Sequence, residues 1–487
     1  MTLEAARTEL INFLGPDLIL DPAGKRPYET DGLTAIREEP WAVALPRTRD
    51  AVLRALDICK RHQVPLVPRG AGTGLSGGAR PIKEGLLLSL ARLNRILDID
   101  LANGVARVEP GVRNLAISEA VAKHGLFYAP DPSSQIACSI GGNVAENAGG
   151  VHCLKYGLTV HNVTGITFAT LDGVVRTVGG LGTDPLGIDL RALLCGSEGL
   201  LGIVLEVTVR LTPLPENKAV MLGAFHSLAD AGNAVAHIIS SGLIPAGLEM
   251  MDRLAIKAAE DFVHAGYPLD AEALLICELD GLALEVESDR ERVEACMRAD
   301  GAYRIDVATD AVSQQRLWAG RKAAFPAVGR LAPDYYCMDG TIPRGRLAEV
   351  LDHIAAFSKE YGLPVANVFH AGDGNLHPLI LYDANVPGEL EKVEEFGSRI
   401  LSQCVAVGGA VSGEHGVGIE KLGPMCDQFT SAELEQFFRL KAAFDPENLL
   451  NPGKAIPTLQ RCVEAGGMHV HGGREGGREP FHHLERF

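Results

Sequence analysis

The chain has 487 residues, 46% of them hydrophobic and 22% charged, the composition of a globular protein able to bury a sizeable core, which excludes fibrous and disordered classes. Lys and Arg number 45 against 62 Asp and Glu, a formal net charge of −17. Nucleic acid and anionic lipid would repel such a chain, and no Lys/Arg cluster offers a local exception. Glycine is the departure, 55 residues or about 11% against a typical ~7%. It is gathered in short stretches with no three-residue period, which excludes collagen and points to sites built from backbone.

The run Met1–Leu10 carries acidic residues at helical spacing, unlike a signal peptide. The stretch Ala231–Leu248 lacks Asp, Glu, Lys and Arg but holds Asn, His, Ser and Pro, so it reads as no membrane span. Ten cysteines form no CxxC pair. That fits reduced thiols in a cytoplasmic protein and argues against an iron–sulfur cluster held by this chain alone.

In chain order, apolar spacing predicts a helix over 49–62, a strand over 64–67, a loop over 68–81 and strands over 85–90 and 105–112. A helix over 113–124, a glycine block over 141–150 and strands over 163–170, 173–178 and 202–211 follow. From about 217, amphipathic patterns at 228–241, 247–265, 284–299 and 345–361 alternate with strands at 219–225, 272–280, 303–309, 364–369 and 376–381. That alternation predicts a separate α+β domain with helices on one face of a sheet. SGEHGVG then leads to a helix over 431–443, and NLLNPGK closes the ordered part at 448–454. The tail from 464 carries GGREGGRE and the histidines His469, His471, His482 and His483, and reads as low-complexity.

Gly72-Thr-Gly74-Leu-Ser-Gly77 matches GxGxxG and follows a strand. A dinucleotide-binding unit needs a helix to open inside that motif. Gly78, Pro81 and another strand follow instead, so NAD binding is set aside. Either the segment is a plain tight turn or its backbone N–H groups form a nest that holds an anion between two strands. A second block runs through Pro130-Asp-Pro-Ser-Ser134, Ile140-Gly-Gly-Asn143, Asn147-Ala-Gly-Gly150 and Tyr156-Gly157, and a third is Gly196-Ser-Glu-Gly-Leu-Leu-Gly-Ile203. Together these loops could wrap one extended polyphosphate ligand.

PRGAGTGLSGG, PDPSSQIACSIGGNVAENAGG and GSEGLLGIV resemble the FAD-binding domain of the vanillyl-alcohol oxidase/p-cresol methylhydroxylase (PCMH) superfamily. HAGDGNLH, SGEHGVG and FDPENLLNPGK are similar to its 2-hydroxyacid branch, which holds FAD-linked D-lactate and D-2-hydroxyglutarate dehydrogenases and glycolate oxidase FAD-linked subunits. The tail segment RCVEAGGMHVH is most similar to the last of these, and the likeness spans 35–471. The resemblance implies an α+β fold with an N-terminal helical segment (1–36) and a two-subdomain PCMH-type FAD-binding domain (37–215). An α+β substrate or cap domain (216–410), a C-terminal helical segment completing the FAD and substrate site (411–457) and the tail (458–487) would follow. It implies FAD contacts from Pro68, Arg69, Gly70, Ala71, Gly72, Thr73, Gly74, Leu75 and Ser76 in the first loop. The second and third would add Pro130, Asp131, Pro132, Ser133, Gly141, Gly142, Asn143, Asn147, Gly149, Gly150, Tyr156, Gly157, Glu198, Gly199, Gly202 and Ile203, with Asn451 near the end. Some relatives attach FAD to a histidine in or after the first loop. Residues 69–80 hold none, which implies non-covalent FAD.

His370-Ala-Gly-Asp-Gly-Asn-Leu-His377 contains Asp373-Gly374, a type I′ hairpin signal. With those two at the turn, His370 is expected directly opposite His377 on one sheet face, Cβ atoms ~5 Å apart. Such a pair can chelate a divalent metal, or be two half-buried histidines flanking a turn. Glu414 and His415 are adjacent, and in extended chain they would point to opposite sides. The resemblance places Glu414 beside the two histidines as a metal ligand and makes His415 the catalytic base. Two histidines and a carboxylate suit Zn²⁺, Mn²⁺ or Fe²⁺.

A 2-hydroxy acid could chelate that metal, lose its hydroxyl proton to His415 at an unperturbed pKa near ~6.5, and pass hydride to FAD. Arg321 is either a surface residue or, as the family often has it, the holder of the substrate carboxylate. The 2-hydroxyglutarate enzymes add a threonine where this chain has Phe325, and a lysine further on, absent between Lys322 and Lys359. A small monocarboxylate is therefore expected, glycolate first and D-lactate as the alternative. The resemblance further implies a second FAD-type subunit and an Fe–S subunit as partners, with electrons passed on to quinone rather than NAD. Those partners would be the only link to the inner membrane. The competing expectation is a flavin-carrying subunit inactive on its own.

Overall fold

The structure is a computed structural model that describes residues 3–182 and 187–458. The expectations for the histidine-bearing tail lie outside these residues. Strand Leu66–Arg69 runs parallel to Leu86–Ser89, which also pairs in parallel with Ala42–Ala44. Leu18–Ile19 completes this four-stranded sheet. Helix Arg49–His62 starts where the Thr48 side chain accepts from Ala51 N and stops at Gln63 in the left-handed region. Its Val52, Ala55, Leu56 and Cys59 pack with Leu66, Leu86 and Leu88 in one core. The first glycine loop leaves the carboxyl end of one parallel strand and returns as the next, the usual place for a ligand in such sheets.

A five-stranded antiparallel sheet follows, in the order Ile96–Asp100, Val105–Val108, Ile203–Arg210, Val163–Ala169, Val175–Gly179. The second glycine block is not all loop. Residues Ile140–Glu146 form a helix, with the Ser139 side chain accepting from Gly142 N and Asn147 capping at φ 53°. Buried Ile140 and Val144 anchor it despite its two glycines.

The second region is built on a nine-stranded sheet. Helices cover both of its faces, not one as expected. Met221, Leu275, Cys277 and Met250 meet helices Leu228–Ser240, Ala283–Ala299, Leu347–Tyr361 and Glu389–Ala406. Val220, Leu222, Leu274, Ile276 and Met251 point the other way, against helices Arg253–Val263 and Ala311–Val328. Strands apolar at every position need cover on two sides. The pattern read as a helix over 247–265 divides into strand Gly247–Asp252 and helix Arg253–Val263, the join capped by the Asp252 side chain. Helices Ala311–Val328 and Glu389–Ala406 were not foreseen.

The chain finally returns to the first sheet. Leu66 N donates to Leu449 O and Asn451 N to Leu66 O, each at 2.7 Å. No helix of the described residues is long and apolar enough to cross a membrane.

Candidate active site

The three glycine segments meet at one cleft of about 380 Å³. Residues Pro68 to Leu75 line it, together with Pro132, Ser133, Gly141, Gly142, Asn143, Glu198, Gly199 and Gly202. Phe325, His377, Glu414 and His415 also line it. A Cβ on Gly74 would meet only Glu146 Oε1, at 3.8 Å, so the backbone there is open to a ligand. The buried Nδ2 of Asn143 makes no hydrogen bond among the described residues. Bare backbone and an unpaired donor fit a large polar ligand of the FAD type.

The other flavin-contact candidates stand behind this wall. Ser76 Oγ donates to His415 O at 2.8 Å, tying the first loop to the histidine. Asn451 Nδ2 donates to Gly78 O at 3.0 Å and Glu198 O at 2.7 Å, joining the first and third loops. Pro130 O accepts from Asn114 Nδ2, and Asn147 Oδ1 accepts from Val160 N. A Cβ on Gly149 would sit 2.5 Å from Glu414 Oε2, and one on Gly150 would sit 2.5 Å from the Asp131 backbone. One on Gly157 would press the His161 ring at 2.9 Å, while Ile203 is core.

Asp131 and Tyr156 reach toward the nine-stranded sheet. Asp131 Oδ2 and Glu278 Oε1 flank the His152 ring at 2.7 and 3.2 Å, and Tyr156 donates to Asp280 Oδ2 at 2.6 Å. Burial opposes charge on His152, but Asp131 and Glu278 outweigh it and raise its pKa to about 10.

The two histidines meet, by a different register from the one expected. His370 pairs with Asn375, not His377, and Asn367 pairs with Pro378. A four-residue loop, 371–374, replaces the two-residue turn, with Gly374 at φ 82°. A slip by an even number of residues keeps each side chain on its face. The rings therefore still approach, with centroids 5.1 Å apart. Glu414 Oε1 lies 3.4 Å from His370 Nε2 and 3.3 Å from His377 Nε2. The three ligand atoms form a group compact enough for one ion.

The Ser412–Gly416 segment is bent, not extended. Glu414 and His415 consequently face the same cluster instead of opposite sides. His415 stacks on His377, and its Nε2 lies 3.9 Å from Glu414 Oε1. Asp339 shapes the bend. Its carboxylate accepts from the backbone N–H groups of Gly413, Glu414 and His415, from Ser412 Oγ and from Lys421 Nζ. Burial disfavours charge on Glu414, but His370 and the neighbouring imidazoles hold its pKa down to about 2. Burial lowers His415 to about 4, below the unperturbed value expected of it, although Asp339 pulls the other way.

Arg321 is neither on the surface nor on the cleft wall. It is 3% exposed, and its Nε and Nη2 meet Glu249 Oε2 at 2.8 and 2.7 Å. Glu249, Asp339 and Lys421 are the site-building residues that motif reading missed. Glu249 lay inside a pattern read as helix, and the other two stand outside the glycine motifs.

Residues 40–179 match a family described as FAD binding domain, and 214–455 match FAD linked oxidases, C-terminal domain. Glycolate oxidase subunit GlcD of Escherichia coli (strain K12) is 60% identical over 461 residues, covering 95% of this chain and 92% of that one. The chain belongs to the FAD-linked oxidase family. A D-lactate dehydrogenase of Archaeoglobus fulgidus is 33% identical, over 88% of this chain and 95% of its own length. In fold the chain is similar to p-cresol methylhydroxylase with substrate bound, at TM-score 0.79 and 17% identity over 94% of this chain and 97% of that one. The α+β fold and FAD as cofactor follow from these likenesses.

Proposed function

We propose that the protein oxidises a small 2-hydroxy acid to the 2-oxo acid, with glycolate the first candidate. The observation that carries this reading is a shared cleft, where His377, Glu414 and His415 face the segments that fit FAD. FAD would accept hydride from the substrate carbon. His370, His377 and Glu414 would hold a divalent cation, Zn²⁺, Mn²⁺ or Fe²⁺, which would supply Lewis acidity. His415, neutral above a pKa of about 4, would take the hydroxyl proton on Nε2. Arg321 meets Glu249 through Nε and Nη2, which leaves Nη1 as the nitrogen that would reach the substrate carboxylate. The Phe325 ring sits 6.4 Å from that of His377 and makes an apolar wall, which favours a small monocarboxylate over a second charged group. Glycine-loop contacts, with no histidine in residues 69–80, support non-covalent FAD.

The 60% identical relative is by name a subunit, which supports a multi-subunit assembly. A second FAD-type subunit and an Fe–S subunit would carry electrons onward. The second reading, a D-lactate dehydrogenase acting alone, is favoured by the relative of that name at 33% identity. Purified FAD-loaded chain, assayed with a dye acceptor against glycolate, D-lactate, L-lactate and D-2-hydroxyglutarate, separates these. Highest kcat/KM on glycolate supports the first reading and on D-lactate the second. No dye reduction with any of them, unless partner chains are added, would mean a flavin-carrying subunit.

A further inference from the structure

Resting on the reading of His370 as a metal ligand, we propose that Glu249 is a positioning residue that sets His370 for the ion and Arg321 for the substrate carboxylate. Glu249 lies on strand Gly247–Asp252, directly across the antiparallel pair from His370. It is 1% exposed. Each of its oxygens has its own partner. Oε1 meets His370 Nδ1 at 2.7 Å, and Oε2 meets Arg321 Nε at 2.8 Å.

A carboxylate beside a guanidinium only accepts hydrogen bonds, so Nδ1 of His370 must be the nitrogen that carries hydrogen. Any lone pair the ring offers an ion is thereby confined to Nε2, the atom 3.4 Å from Glu414 Oε1. A histidine that donates its second ring nitrogen to a carboxylate is fixed in orientation and made a better ligand. The same carboxylate holds Arg321 by Nε and Nη2, so its planar fork can turn only as a unit. One buried carboxylate thus sets the distance between the ion and the group that receives the substrate's carboxylate. Glu249 itself is absent from the cleft wall and acts through these two partners.

The test uses full-length, FAD-loaded protein. Glu249→Gln keeps the shape but sets an amide N–H₂ against either His370 Nδ1–H or Arg321. Zn²⁺ and Mn²⁺ affinities, measured by chelator competition, should weaken about 10–100-fold. KM for glycolate should rise while FAD content stays near wild type, and Tm should fall because Arg321 is left buried without its carboxylate. Glu249→Asp, too short to reach both partners, should restore the charge yet rescue at most one of the two effects. Unchanged affinity and KM in Glu249→Gln would overturn the proposal. Should Glu249→Gln not fold, Glu249→Asp carries the same two readouts. Wild-type protein that binds neither ion would defeat the metal reading and leave Glu249 to be judged separately. ¹⁵N-histidine spectra, with His370 assigned through His370→Gln, then decide. A protonated Nδ1 in wild type with raised KM in Glu249→Gln supports its role, and an unprotonated Nδ1 refutes it.

Discussion

His377 and His415 stack face to face, with ring centroids 4.9 Å apart and planes within 3° of parallel. Parallel imidazoles at this distance repel each other if both are charged, and burial pushes His415 down to about 4. His415 is therefore neutral at physiological pH and free to accept a proton.

These two rings should separate on mutation. His377→Ala is expected to lose the proposed divalent metal and most activity while keeping FAD, by elemental analysis and flavin absorbance. His415→Ala should retain both and lose about 10²–10⁴-fold in turnover. Near-normal turnover in His415→Ala, or a loss explained by missing metal, would make His415 a positioning residue.

The flavin should be released entirely by acid precipitation, leaving a colourless pellet. Gly74→Leu should purify with most of its flavin gone, because a side chain there extends into the cleft past Glu146 Oε1. The 280/450 nm absorbance ratio measures this directly.

The His152 contact between the glycine segments and the nine-stranded sheet should make stability depend on pH. Its folded pKa, about 10, lies above the ordinary 6.5. The contribution is therefore complete below about pH 6.5 and disappears as pH rises through about 10. Thermal melts of wild type and His152→Gln should differ most at pH 6 and converge by pH 10. A gap that widened with pH would contradict the assigned charge.

Asp339→Asn should be severely destabilising. Asp339 and Lys421 are both 0% exposed, and removing one charge leaves the other buried without compensation. The cost is about 3–5 kcal/mol, read from urea unfolding. Leu422→Met, in the adjacent helix Leu422–Gln428, should cost less than about 1.5 kcal/mol.

The glycine segments and HAGDGNLH could be found in the sequence because their function requires particular residue types close together in the chain. Backbone must be bare where phosphate approaches, and two imidazoles near a turn share a sheet face even when the register slips by two. The parity of that face was therefore legible, while the register, His370 opposite Asn375, was not. Glu249 could not be recognised, because GLEMMD has helical propensity and becomes a strand only where two neighbouring strands take up its backbone hydrogen bonds and helices cover both its faces. Asp339 was likewise invisible. Its five donors include three successive backbone N–H groups of a loop more than seventy residues away, and only tertiary structure decides where backbone groups point. The sequence by itself determined which chemistry is present, through residue types local to each motif. The packing of one sheet between two helix layers decided which carboxylates orient that chemistry, because a charge buried there must find its partners in space and not along the chain.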